Sequence, residues 1–289
     1  MITCDFAGGL GNNLFQFANI YNLHKKYSLP YIINKEHVRL TFDGKQLYKD
    51  GRFDQESNLE IPALFDNYFN YCNSAKYDIG RLSTYVHRDM AHDDHRFIEM
   101  EKRDNLVYKG YFQSYKYHDS FDPKEEFVLN KDRGLQIKEK NALCFTKPTI
   151  ALHYRLSGDR VLQRIQKYHK NVDVEFYKKS INTIAKIENK KLEDYNTLLF
   201  TDDQELAERL LRKINIIPIN VSSKDNIRDF IFMSLCTHNI IGNSTYSWWA
   251  AYLNKNDNKI VIAPKTEFLG PALKHVDLTD MFPSTWITI

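Results

Sequence analysis

The chain has 289 residues, 43% hydrophobic and 13% aromatic, which rules out global disorder and, at roughly 150 residues per domain, points to two domains. Forty basic against 37 acidic residues leave a formal charge of +3, too little to argue for a nucleic-acid partner. No apolar run approaches the ~18 residues of a membrane span, and the opening Met1-Ile2-Thr3-Cys4-Asp5-Phe6 lacks the charged and apolar regions of a signal peptide.

Residues 2–6 predict a short strand and Gly8-Gly9-Leu10-Gly11 a tight loop. Leu14, Phe17, Ala18 and Tyr21 follow at i, i+3, i+4 and i+7, one face of a helix. Pro30 opens a second apolar run, Tyr31-Ile32-Ile33, so the chain begins strand, glycine loop, helix, strand, the start of an α/β domain. Residues 34–105 carry no regular pattern; 106–112 predict another strand. The second half alternates more clearly: strands at 149–153, 197–200, 216–221, 239–242 and 260–263 are separated by helices carrying Leu206, Leu210, Leu211 and Ile214, then Ile227, Phe230, Ile231 and Ser234, then residues 244–253. This pattern predicts a parallel sheet covered by helices, with ligands beyond the carboxyl ends of its strands. Two α/β domains are expected, 1–145 and 146–289. The four cysteines, Cys4, Cys72, Cys144 and Cys236, are widely spaced and read as reduced thiols of a cytoplasmic protein.

Four constellations follow strands. Gly8-Gly9-Leu10-Gly11-Asn12-Asn13 brings backbone amides and a helix N-terminus close together, as a diphosphate requires, but the third glycine of a dinucleotide fingerprint is replaced by Leu14; Asn12 reads equally as a helix cap. In His153-Tyr154-Arg155-Leu156-Ser157-Gly158-Asp159-Arg160 the planar guanidinium of Arg155 suits a pyrophosphate, His153 suits a sugar or base, and Asp159 suits orientation of either the arginine or a hydroxyl. Thr201-Asp202-Asp203 offers a carboxylate for guanine or a metal, and equally a helix cap. Gly242-Asn243-Ser244-Thr245-Tyr246-Ser247-Trp248-Trp249 sets small hydroxyl residues at a helix N-terminus, an anion site, with the tryptophans expected in the core. The run His87-Arg88-Asp89-Met90-Ala91-His92-Asp93-Asp94-His95 contains metal-capable groups but no regular element to hold them, and reads as a solvated loop. Tyr111-Phe112-Gln113-Ser114-Tyr115 suits either sugar stacking or a core.

In this order, Gly8-Gly9-Leu10-Gly11-Asn12-Asn13-Leu14-Phe15-Gln16, Lys109-Gly110-Tyr111-Phe112-Gln113-Ser114, His153-Tyr154-Arg155 with Gly158-Asp159, Phe200-Thr201-Asp202-Asp203, Phe232-Met233-Ser234-Leu235-Cys236-Thr237-His238, Asn243-Ser244-Thr245-Tyr246-Ser247-Trp248-Trp249-Ala250-Ala251 and Ala263-Pro264-Lys265 resemble the α-1,2-fucosyltransferases of glycosyltransferase family 11. The resemblance implies a GT-B-like α/β fold of two Rossmann-like domains facing a cleft, with the acceptor on the side of 1–145 and the nucleotide sugar on 146–289. It implies inverting, metal-independent transfer of fucose from GDP-fucose to a glycan hydroxyl such as O-2 of a terminal galactose, with no cofactor. Arg155 would hold the β-phosphate and, with Asp159, serve catalysis. His153 and one of Asp202 or Asp203 would contact guanosine. Gly9, Gly11 and Asn12 would border the pyrophosphate or fucose, and Asn243, Ser244, Thr245 and Ser247 would serve the donor phosphates.

Two departures from the family pattern stand out: Leu156-Ser157 replaces a single second arginine before Gly-Asp, and Asn13 stands where glutamine is usual. The alternatives are a GT-B transferase using GDP-rhamnose or GDP-mannose, a non-catalytic glycan- or nucleotide-binding relative, and a metal-dependent hydrolase built on His87 to His95. Lack of an anchor suggests a bacterial-like or viral cytoplasmic enzyme.

Overall fold

The computed structural model describes the whole chain except residues 35–37, 40, 43–44, 47–55, 58–59, 68, 70, 73–81, 88–95, 157–167, 170 and 266–267. It folds as two compact units, Met1–Val128 with Val276–Phe282, and Leu129–His275 with Pro283–Ile289. A junction near residue 145 thus falls inside the second unit.

In the first unit, β1 (Ile2–Cys4) leads into α1 (Leu10–Tyr27), and β2 (Ser83–Val86) and β3 (Leu106–Lys109) complete a parallel sheet of order β1-β3-β2. Register pairs Ile2 and Ser83 with Leu106 on either side. The loop predicted over Gly8 to Gly11 is shorter than expected, since α1 already begins at Leu10. Of the apolar face expected on α1, Leu14, Phe17 and Ala18 are buried and Tyr21 is partly exposed, with Phe17 stacked on Phe127 at 5.2 Å and edge-on to Phe69 at 4.8 Å. Such aromatic pairs add to the area term that holds the helix in place.

Burial also leaves a titration signature. His118 is buried, and desolvation pushes its pKa from 6.5 down to about 3. The folded chain therefore keeps His118 neutral while the unfolded chain binds a proton below about pH 6.5. The stabilisation is complete above that pH and declines as pH falls towards 3, by up to about 1.4 kcal/mol per pH unit. Urea unfolding at pH 7 and pH 5 should show this loss, and His118→Gln should flatten the slope; parallel profiles for the two proteins would contradict it.

In the second unit the strands are β4 (Thr149–Tyr154), β5 (Asn196–Thr201), β6 (Ile219–Asn220), β7 (His238–Ile240), β8 (Val261–Ala263) and β9 (Ile287–Thr288). They form one parallel sheet of order β6-β5-β4-β7-β8-β9. Counted from β4, this is 3-2-1-4-5-6, the order of a dinucleotide-binding doubly wound sheet. β4 is buried at every position, as a central parallel strand must be. Helices α2 (Lys131–Lys140), α3 (Val174–Glu188), α4 (Gln204–Arg212), α5 (Asn226–Ser234) and α6 (Thr245–Tyr252) flank or link the strands.

Asp173, Asp203 and Asp225 cap α3, α4 and α5 through bonds of 3.0, 3.1 and 2.9 Å to backbone N–H groups. Helix α3 closes on Asn189 at φ 53° and α4 on Asn215 at φ 61°, each followed by an N–H that reaches back five residues, Lys190 to Ala185 and Ile216 to Leu211. That turn takes Ile216 out of the strand expected over 216–221, leaving Ile219–Asn220. Helices α2 and α3 go beyond the elements that the sequence pattern predicts. α3 carried a usable signal, an Asp cap followed by Phe176, Tyr177, Ser180, Ile181 and Ile184 on one buried face. α2 carried less, because Leu135, one of its two large apolar residues, is 60% exposed; the helix packs on α5 within the second unit.

Candidate functional site

The order of the second sheet reverses between β4 and β7, and such a switch point opens a crevice beyond the carboxyl ends of the two strands. The register shows the strands parting. β4 stays paired with β5 through Tyr154 and Thr201, whereas its pairing with β7 runs only to Leu152 and Ile240. His153 and Arg155 stand on the β4 side of this split, Gly242 to Ser247 on the β7 side. Two of the four predicted constellations are thus brought together by topology.

On the β4 side His153 is buried, its ring lies 5.8 Å from that of Tyr246, and its carbonyl accepts a 3.0 Å bond from the Tyr177 hydroxyl. Arg155 follows the last strand residue and is half-buried. Leu156 points into the core, and its N–H donates to Asp202 Oδ1 at 2.7 Å. Of the two residues expected in place of a second arginine, Leu156 is thus a core residue and Ser157 lies outside the described residues. Asp159 lies outside the described residues.

Across the crevice Ser244 precedes α6 but gives its helix no side-chain cap, so the first-turn N–H groups are not satisfied by it. Asn243 and Ser244 are buried, and Thr245 is partly exposed. The Ser247 hydroxyl is turned inward and donates to the Ser244 carbonyl at 3.2 Å, which gives it a helix-bracing role. Tyr246 donates to the Asn226 carbonyl at 2.5 Å, tying α6 to the start of α5. Trp248 and Trp249 are fully buried, as expected.

The paired aspartates separate by role. Asp203 caps α4 through the Leu206 N–H, and Asp202 fastens the ends of β4 and β5. Asp203→Ala should cost about 1 kcal/mol in thermal or urea unfolding. Nucleotide affinity should stay at the wild-type value; a large drop would return Asp203 to the binding site.

The first unit gathers its two motifs around the glycine loop. Gly8 adopts φ +81°, which favours glycine, and a Cβ there would lie 2.3 Å from Asn12 Nδ2 and displace that amide. Asn12 is not the cap of α1; Gly9 holds that position without a side-chain bond, and Asn12 Oδ1 instead accepts from Gln113 Nε2 at 3.0 Å. Gly11 lies in the helix rather than in a loop. Gln16 bonds the Gly110 carbonyl at 2.8 Å, and its Oε1 accepts from the Ala7 N–H at 3.1 Å. Asn13 is buried and donates to the Ala7 carbonyl, so its shorter amide serves the loop.

Lys109 and Asp5 pair at 3.2 Å at the ends of β3 and β1. Of the His87 to His95 run only His87 is described; it is buried, with Nε2 2.7 Å from the Tyr117 hydroxyl. Among the described residues no group of three or more His, Cys, Asp or Glu is arranged to hold a metal, and no helix is long and apolar enough to cross a membrane.

Residues 1–289 match the family model described as Glycosyl transferase family 11. The chain belongs to this family. Among its relatives is the O-antigen biosynthesis glycosyltransferase WbnK of Escherichia coli, 28% identical over 310 aligned residues that cover 93% of this chain and 95% of WbnK. Another is an alpha-1,2-colitosyltransferase of Escherichia coli, 25% identical and covering 100% of this chain and 99% of its own. The crystal structure of POFUT1 in complex with GDP superposes with a TM-score of 0.53 at 10% identity, over 91% of this chain and 97% of that one, which shows a shared fold. The family 11 chain is accordingly a glycosyltransferase with a GT-B-like α/β fold.

Proposed function

We propose that this family 11 chain transfers fucose from GDP-fucose to a sugar hydroxyl, O-2 of a terminal galactose or a similar glycan, with inversion and without a metal or cofactor. One observation carries the reading: His153 and Arg155 and the start of α6 meet at the switch point of a 3-2-1-4-5-6 sheet. Breaking the sugar–phosphate bond places negative charge on the β-phosphate and positive charge on the sugar. Arg155 supplies a fixed cation and α6 supplies aligned N–H groups for the departing diphosphate. His153 is assigned to the nucleoside. The acceptor hydroxyl then attacks from the opposite face, which inverts the anomeric centre, and Asp159 is the carboxylate assigned to take its proton.

A second donor is favoured by the relative named an alpha-1,2-colitosyltransferase. Colitose is fucose without its 3-hydroxyl, so the GDP-binding half of the site would serve both. Discrimination would rest on whether side chains pair that hydroxyl, and an unpaired polar partner can reject the deoxy sugar by roughly 10⁴-fold.

The test is GDP release in excess chelator, with GDP-fucose, GDP-colitose, GDP-mannose and GDP-rhamnose in turn, over a panel of galactosides, with linkage analysis of the products. Undiminished turnover of GDP-fucose giving an α-1,2 product is expected. Preference for GDP-colitose would move the donor assignment, and release from none of the four would remove it.

A further inference from the structure

Where β4 and β7 separate, a buried strand carbonyl loses its ladder neighbour and needs another partner, because an unsatisfied buried carbonyl is costly. The His153 carbonyl stands at that position, one residue past the pairing of Leu152 with Ile240. Tyr177, on α3, supplies its hydroxyl at 3.0 Å. The side chain is fully buried, and its ring packs 4.4 Å from that of Tyr154, so the phenol has little freedom. Phenylalanine would fill the same volume; the hydroxyl is spent on one peptide group of the crevice.

Gly242 bounds the same group from β7's side. A Cβ there would stand 2.9 Å from the His153 carbonyl oxygen, 3.4 Å from the Tyr177 hydroxyl and 3.6 Å from His153 Nδ1.

We propose that Tyr177 and Gly242 are positioning residues for sugar-nucleotide binding: a phenol bond on one side and an absent side chain on the other set the His153 peptide, and with it the directions in which His153 and Arg155 leave the strand. The proposal rests on the GDP-sugar reading above. Both residues are buried. Both act through the backbone, where a displacement of about 1 Å can cost 100-fold.

The experiment uses the full chain with Tyr177→Phe, and Gly242→Ala as an independent push on the same carbonyl. GDP affinity is read by calorimetry, and KM and kcat with GDP-fucose. In both variants Kd for GDP and KM for GDP-fucose should rise together about 10- to 100-fold, with circular dichroism unchanged. Tyr195→Phe is the control. It removes another tyrosine bond, 2.6 Å to Glu188, just before β5 at the amino end of the sheet, and should lower the melting temperature with Kd unchanged.

A merely structural Tyr177 would behave like Tyr195: a lower melting temperature, fewer active molecules and a lower kcat, with Kd and KM at wild-type values. That result overturns the positioning role alone. If Tyr177→Phe does not fold, Gly242→Ala decides by the same measurements. Wild-type protein without affinity for GDP would overturn the donor assignment and this proposal together.

Discussion

Arg155→Ala is expected to lower kcat/KM for fucose transfer by roughly 100- to 1,000-fold while the melting temperature stays within a degree or two of wild type, the range found when one fixed donor to a developing anion is removed. Arg155 stands beyond the end of β4 and is half-buried, outside the fully buried core set that includes Tyr154 and Leu156. Lysine would keep the charge but not the bidentate fork, and Arg155→Lys should recover only part of the activity. Steady-state kinetics on both variants checks this, and an alanine variant with wild-type kcat/KM would move the leaving-group role to another residue.

The second large effect concerns stability. Trp248 is fully buried beneath the first turn of α6, stacked on Tyr252 at 4.9 Å and 6°, tilted against Trp286 at 5.2 Å and edge-on to Trp249 at 5.1 Å. Trp248→Ala removes the whole indole from a site ringed by rigid aromatics that cannot collapse into the space. A cost of about 3–5 kcal/mol is expected, a large share of the ~5–15 kcal/mol that keeps a domain folded. Equilibrium urea unfolding measures it. Trp248→Phe should cost clearly less, and equal midpoints for the alanine variant and wild type would show that the cluster does not hold α6 in place.

The second unit was readable because central parallel strands are unbroken apolar runs and their helices keep the 3.6-residue period. Thr149 to His153 and the Leu206, Leu210, Leu211 face are both of this kind. Reading failed where the local pattern was ambiguous. Ile216 belongs to an apolar run that looks like strand, yet its N–H is taken by the turn that ends α4. Asn12 has the chemistry of a cap, but the helix starts one turn too early for it. Asp202 and Asp203 are chemically identical neighbours, and only the directions of their side chains separate a strand fastener from a helix cap.

The amino-acid sequence by itself determined the α/β class, the family resemblance and the residues worth testing, because periodicity, glycine turns and capping chemistry are local and leave local signs. The strand order 3-2-1-4-5-6, and so the meeting of His153 and Arg155 with Ser244, was decided by tertiary structure alone. Strand pairing joins residues roughly 90 positions apart, as Leu152 and Ile240 are joined, and no short-range pattern encodes which strands become neighbours. The same holds for Tyr177: its period marks it as core, and only the fold shows which carbonyl its hydroxyl was placed to meet.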